Sequence, residues 1–338
     1  MLTTLLAVFA FTAAIQDEQT PDSVVNSPVL QLEHPTQDTA PESGAILNTA
    51  GEYAAFHQVI ADLRDAPIGS SDDLDSAMDR LTSFYGEQRL ARAWIAYAAM
   101  IASQHPEYLD DVREVADYYG TQAAMSGLMY DPAYATSFTH SREAQASVVD
   151  AIDRDRNEIR EVSERYRAAA YDLQSERWAR RSSGDRAGRL HALENADARP
   201  IDQLGRDALL TMGSSIGNGV PASALFDDGM SARADASSPA LTLRVGEAAP
   251  APDRERIGRI LSVAALQSLS SDPNSLNPQL EALLNDPAVE RCMVWVRLDL
   301  QQCVAAGHFK YEDSFCIAEH ALLDVSRCLG ASAATGSH

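Results

Sequence analysis

The residues with the most chemistry in them stand at the far end of the chain: Cys292, Cys303, Cys316 and Cys328 all fall in the last 47 of 338 residues. An even, clustered set of thiols argues for disulfides where a chain reaches an oxidising compartment. The stretch CMVWVRLDLQQC is an unbroken helical pattern, which leaves Cys292 and Cys303 about 16 Å apart along the axis. A disulfide needs Cα atoms about 5.5 Å apart, so these two cannot bond each other. Cys316 and Cys328 are separated by about 18 Å by the same arithmetic. If the chain turns around Gly307, two antiparallel helices set Cys303 beside Cys316 and Cys292 beside Cys328, an inner and an outer bridge; other disulfide pairings stay open. The 12-residue step turns Cys328 about 120° away from Cys316 on an ideal helix. One of the two, Cys316 at the helix start or Cys328 just before Gly330, is therefore expected outside regular helix. The competing chemistry is metal, since Cys316 and His320 stand at i,i+4 and His308 lies in the turn. Structural zinc sites favour closely spaced C-x2–4-C pairs. The chain has none, so no metal ligand is assigned, and His320 is expected as a helix-surface residue near Glu319.

The cysteine layout, C-x10-C followed by C-x11-C, resembles the twin-cysteine hairpin of coiled-coil-helix-coiled-coil-helix proteins in architecture only; it departs from their usual C-x9-C spacing.

Elsewhere the chemistry is thin. Gly213-Ser214-Ser215-Ile216-Gly217 matches the G-x-S-x-G pattern of hydrolases, but that motif works on a sharp strand-to-helix turn, and here a helical segment precedes it. Gly217-Asn218-Gly219 lacks the flanking strand and helix of a dinucleotide site. The carboxylate pairs Asp72/Asp73 and Asp110/Asp111 are expected as helix N-terminal or solvated charges. No catalytic residue and no cofactor is assigned.

The elements that must position these groups are helices. Apolar residues recur at helical spacing in Ile46, Tyr53, Phe56, Ile60 and Leu63 before Pro67; in Leu74, Met78, Leu81 and Tyr85 before Gly86; in Leu90, Trp94, Tyr97 and Ile101; and in Tyr108, Leu109, Val112, Val115 and Tyr119 after Pro106. Phe84-Tyr85-Gly86 and Tyr118-Tyr119-Gly120 are 34 residues apart, the period of tetratricopeptide pairs. The rest of that pattern fails, so an irregular bundle with core aromatics is expected. Residues 141–181 read as one long helix capped by Ser141, with Ile152, Ile159, Tyr166 and Leu173 in a seam broken by Asp155 and Glu176. Nine acids and nine arginines between 142 and 181 include the i,i+4 pairs Asp150–Arg154, Glu161–Arg165 and Glu176–Arg180, a self-neutralising face. A shorter helix is expected at 200–212, with LTLRV at 241–245 as the only strand-like patch. Ile257, Ile260, Leu261, Ala264, Ala265 and Leu269 form an apolar helix face. The fold class is all-α: an irregular helical bundle with one long helix, plus a small C-terminal disulfide-linked hairpin module. Its expected divisions are a signal peptide (1–14), an acidic disordered leader (15–45), a helical domain (46–212), a flexible linker (213–251) and a C-terminal module (252–330).

Residues 2–14 have the length and apolar character of a signal-peptide core, with small residues at Ala13 and Ala14, and are too short to span a bilayer. No second segment approaches a spanning length. A periplasmic or extracellular location is expected. The chain carries 49 acids against 27 bases, a formal charge of −22, and Lys310 as its only lysine. That balance argues against nucleic-acid partners and anionic membrane surfaces and suits basic partners. The signal segment, the WIAYAA helix, the YYG ending, the YDLQSERW segment (171–178) and the four-cysteine tail together are similar to exported helical proteins of alphaproteobacteria; that resemblance implies no activity. The function expected is contact with other envelope proteins without catalysis. The alternatives are a periplasmic enzyme, such as a cell-wall hydrolase using acidic residues, and an acidic binder of cations or cationic peptides.

Overall fold

The computed structural model describes residues 45–86, 88–195, 222–226, 253–270 and 278–330. The expected signal peptide, most of the leader, the 200–212 helix, the LTLRV patch and both glycine-rich motifs lie outside these residues. Among the described residues the fold is all-α, with one isolated antiparallel bridge, Ser182 to Phe309.

The N-terminal helices are α1 (Ala45–Asp65), α2 (Ser71–Thr82), α3 (Arg89–Ala102), α4 (Pro106–Tyr119) and α5 (Thr121–Tyr130). Several boundaries have a chemical cause. Pro67 follows the end of α1, and the Ser70 side chain caps α2 by accepting the Asp73 N–H, supplying one of the amides a helix start leaves unpaired. Pro106 opens α4 at a position where its missing N–H costs nothing. Gly120, at φ +92°, makes the turn into α5 in a region that L side chains avoid. A 3₁₀ turn (Pro132–Ser137) leads to the long α6 (Ser141–Asp172). α6 stops nine residues before the expected Arg181, passing into a 3₁₀ turn at Leu173–Ser175. Ser141 is not its cap: His140 holds that position, and the Ser141 hydroxyl donates inward to the Thr136 and Phe138 carbonyls.

α7 (Arg186–Glu194) follows, then a 3₁₀ turn at Ala222–Phe226. The C-terminal helices are α8 (Arg254–Leu269), α9 (Pro278–Leu284), α10 (Pro287–Ala306) and α11 (Lys310–Cys316); α11 runs through a π-helical stretch, Ile317–Leu323, into α12 (Asp324–Cys328).

Residues 252–330 do not stand apart from the earlier helices in their packing. One continuous core holds Phe56, Trp94, Tyr97, Tyr108 and Ile159 together with Ile260, Leu261, Leu300, Ile317 and Leu322. α8 is buried on nearly every side. The Tyr108 hydroxyl donates to its Leu261 carbonyl at 3.0 Å, and Gly258 lies so close to Pro132 that a Cβ there would overlap the Pro132 carbonyl. The 213–251 segment is also anchored at one described point: the N–H groups of Ala222 and Ser223 donate to Asp155 at 3.3 and 2.7 Å.

The two YYG-like endings differ. Phe84 and Tyr85 are buried, whereas Tyr118 and Tyr119 are 80% and 69% exposed. The expectation of core aromatics therefore holds for the first and fails for the second: on α4 the buried residues are Tyr108, Leu109, Val112 and Ala116.

Candidate functional site

The four cysteines form the nested pair. Cys303 bonds Cys316 and Cys292 bonds Cys328, with Cα–Cα distances of 5.7 and 5.6 Å. Neither Cys316 nor Cys328 leaves the helix, which corrects the expectation from ideal geometry. A π-helix bonds i to i+5, so the stretch Ile317–Leu323 absorbs one residue. Twelve steps then behave as about eleven, which closes to within about 20° of whole turns and matches the Cys292–Cys303 spacing. Buried hydroxyls fill the altered ladder: Ser163 donates to the Ala318 carbonyl at 2.8 Å, and Tyr85 donates to the Ala321 carbonyl. The hairpin is further bolted at its turn, where the Ser183, Lys310 and Tyr311 N–H groups pair with the His308, Arg181 and Ala179 carbonyls.

Beside the inner bridge lies an apolar groove of about 330 Å³, formed by Ala170, Tyr171, Tyr311, Phe315 and the Cys303–Cys316 disulfide. Tyr171 is 65% and Phe315 41% exposed at its edge. Neither was singled out from sequence as a surface residue; Tyr171 stood only within the YDLQSERW segment.

One acid of each pair serves a helix start. Asp73 accepts the Gly69 N–H at 2.9 Å, and hydrogen bonds from Gly69 and Ser70 hold its carboxyl below the usual range. Asp111 accepts both the backbone N–H and the Nδ1 of His140, at 2.9 and 3.0 Å, tying α4 to the start of α6, while Asp110 pairs with Arg113. His308 is exposed at the turn, its N–H donating to Glu312. Cys316, once oxidised, offers no thiolate to a metal. His320 is half-buried rather than on the open surface, and its Nδ1 lies 2.9 Å from Asp324 Oδ2.

Two titratable clusters escaped the sequence reading. In the first, His57 is fully buried and its Nδ1 donates to Glu158 Oε2 at 3.1 Å; Arg64 reaches the other Glu158 oxygen at 3.4 Å. Burial alone would lower the His57 value, and the Asp155 and Glu158 carboxylates overcome it and raise it. Burial and the same Asp155 push the Tyr53 and Tyr97 phenols up. The break that Asp155 makes in the α6 seam was the visible trace of this cluster. In the second, Lys310 is buried and pairs with Asp313 at 2.8 Å and with Asp75, while Arg189 takes the other Asp313 oxygen. This cluster borders a cleft of about 500 Å³ that also includes Trp178, Met78 and Arg181. Both clusters are internally paired, which is what burial demands of charge.

The Arg-rich face of α6 is only partly self-neutralised. Arg154 pairs with Asp150 as expected. Arg165 instead donates to the Leu63 and Ala66 carbonyls at the end of α1, Arg167 reaches Glu319, and Arg156 divides between Asp153 of its own helix and the Ser326 carbonyl. The stretch containing Glu176 and Arg180 is not helical.

Comparison with protein-family models, curated proteins and solved structures found no match.

Proposed function

We propose that this is an exported, disulfide-stapled helical protein that acts in the bacterial cell envelope through protein–protein contacts, without catalysis of its own. The observation that carries the reading is the apolar groove of Tyr171, Tyr311 and Phe315 on the cross-linked hairpin. Aromatic side chains that lose their water on binding are the usual anchors of protein interfaces, and the Cys303–Cys316 disulfide forms part of this groove's wall. The net charge of −22 and the exposed Asp172 and Glu176 near Tyr171 favour a partner with an apolar anchor flanked by Lys or Arg. Both disulfides fit an oxidising compartment, and among the described residues no helix is long and apolar enough to cross a membrane. The signal-like segment at 1–14 and the resemblance to exported helical proteins of alphaproteobacteria support the same compartment. The hydrolase alternative is weakened because Asp73 and Asp111 are engaged at helix ends.

A photo-crosslinking amino acid at Phe315, in cells, tests the contact. A discrete adduct that disappears with Tyr171→Ala and weakens with salt is expected. A pattern no different from that of a crosslinker at Tyr130, 87% exposed on α5, overturns it. Residues 1–44 fused to a reporter enzyme active only outside the cytoplasm test export independently.

A further inference from the structure

The nested bridges set the distance between α10 and the chain that returns beside it, and three ligand-type side chains meet in the space between them. Asp299 lies on α10 between Cys292 and Cys303; His320, in the π-helical stretch, and Asp324, opening α12, lie between Cys316 and Cys328. One ligand atom from each of the three falls within 4.8 Å of the others, and all three residues are half-buried. The Asp324 oxygen not facing His320 accepts from Arg327 at 2.7 Å.

We infer that Asp299, His320 and Asp324 form a binding site for a first-row divalent cation of the zinc class. One imidazole nitrogen and two carboxylate oxygens make a three-ligand set that leaves positions open for water or for a group from a bound partner. Metal bonds of about 2.0–2.2 Å require ligand atoms somewhat closer together than 4.8 Å, a contraction that side-chain rotation supplies. Each ligand stands between two cysteines cross-linked to the facing helix, which keeps the ligand-bearing segments side by side. The cation replaces the His320–Asp324 hydrogen bond, and Arg327 remains on the second Asp324 oxygen, orienting it as outer partners of metal ligands do. The imidazole selects zinc-class ions over magnesium and calcium, which prefer all-oxygen shells. The sequence offered His320 only beside Cys316 and His308, a set laid aside for want of zinc spacing; Asp299 approaches from the other helix.

Calorimetric titration of the oxidised, full-length protein with zinc chloride tests the site. One equivalent is expected to bind and to raise Tm in the wild type, and that equivalent is expected to vanish in D299N and in H320Q. These two variants change no fully buried residue, and their circular dichroism and metal-free Tm are recorded to show that they fold. An absence of zinc binding in the wild type overturns the inference, as does an equivalent retained in both variants. Magnesium or calcium binding as tightly as zinc removes the imidazole from the ligand set.

Discussion

At the start of α10, Asp286 serves two purposes at once. It accepts the Ala288 and Val289 N–H groups at 2.8 and 3.2 Å as the helix cap, and it accepts Arg256 Nε at 2.9 Å. Arg256 is 2% exposed, donates also to the Gly330 carbonyl, and lies 5.7 Å from the centre of the Trp94 ring. Asp286→Ala would therefore remove a cap and leave a buried guanidinium without its counter-charge. The expected loss is about 3–5 kcal/mol in urea unfolding, well above the roughly 1 kcal/mol of a cap alone. Burial would raise the Asp286 carboxyl; Arg256 and the cap hydrogen bonds overcome it and hold it low. Its stabilising contribution is then complete above the unfolded carboxylate value of about 3.9 and is lost as pH falls through the lower folded value. His57 works in the opposite sense. Its folded value is raised, so its contribution is complete below about 6.5 and is lost as pH rises through the folded value. Thermal unfolding between pH 5 and 9 is expected to show a fall on the alkaline side that His57→Gln flattens; an unchanged slope in that variant would mean the imidazole is not the group responsible.

Among the elements, the π-helical stretch has the clearest reason to exist. Cys316 and Cys328 are one residue too far apart for a regular helix to present both to α10, and the wider turn removes the surplus. Deleting Leu323 is expected to give an ordinary α-helix from Lys310 to Cys328 that still oxidises to Cys303–Cys316 and Cys292–Cys328 in non-reducing peptide mapping. Scrambled connectivity in that deletion would show that the π geometry is needed for more than alignment. The α8 contact is the second element-scale test. Gly258→Ala forces a methyl group into the Pro132 carbonyl, and overpacking of this kind costs about 1–3 kcal/mol, whereas Gly→Ala in a helix free of contacts stabilises it. The sign of the change in urea midpoint distinguishes the two.

For the whole molecule, the bridges close over a core shared by helices from both ends of the chain. Reduction is therefore expected to lower the stability of the entire fold, by about 2–4 kcal/mol per bridge, in one transition seen alike by near-UV and far-UV circular dichroism. Two separate transitions would show that residues 252–330 unfold on their own. Helical periodicity made the fold class and most core faces legible in sequence: Leu90, Trp94, Tyr97 and Ile101 are all buried. The disulfide pairing was legible in part: helix rise forbids a bond within either helix, and an antiparallel turn around Gly307 then favours the nested pair found. These are local quantities, set by spacing along one helix. The packing of residues 252–330 into the shared core, the inward turn of Asp155 toward His57's cluster, the exposed groove at Phe315 and the meeting of Asp299 with His320 depend on which helix lies beside which. That choice is made by burial summed over the whole core, with the charged groups then paired wherever the packing brought them, and no spacing within a single helix records it.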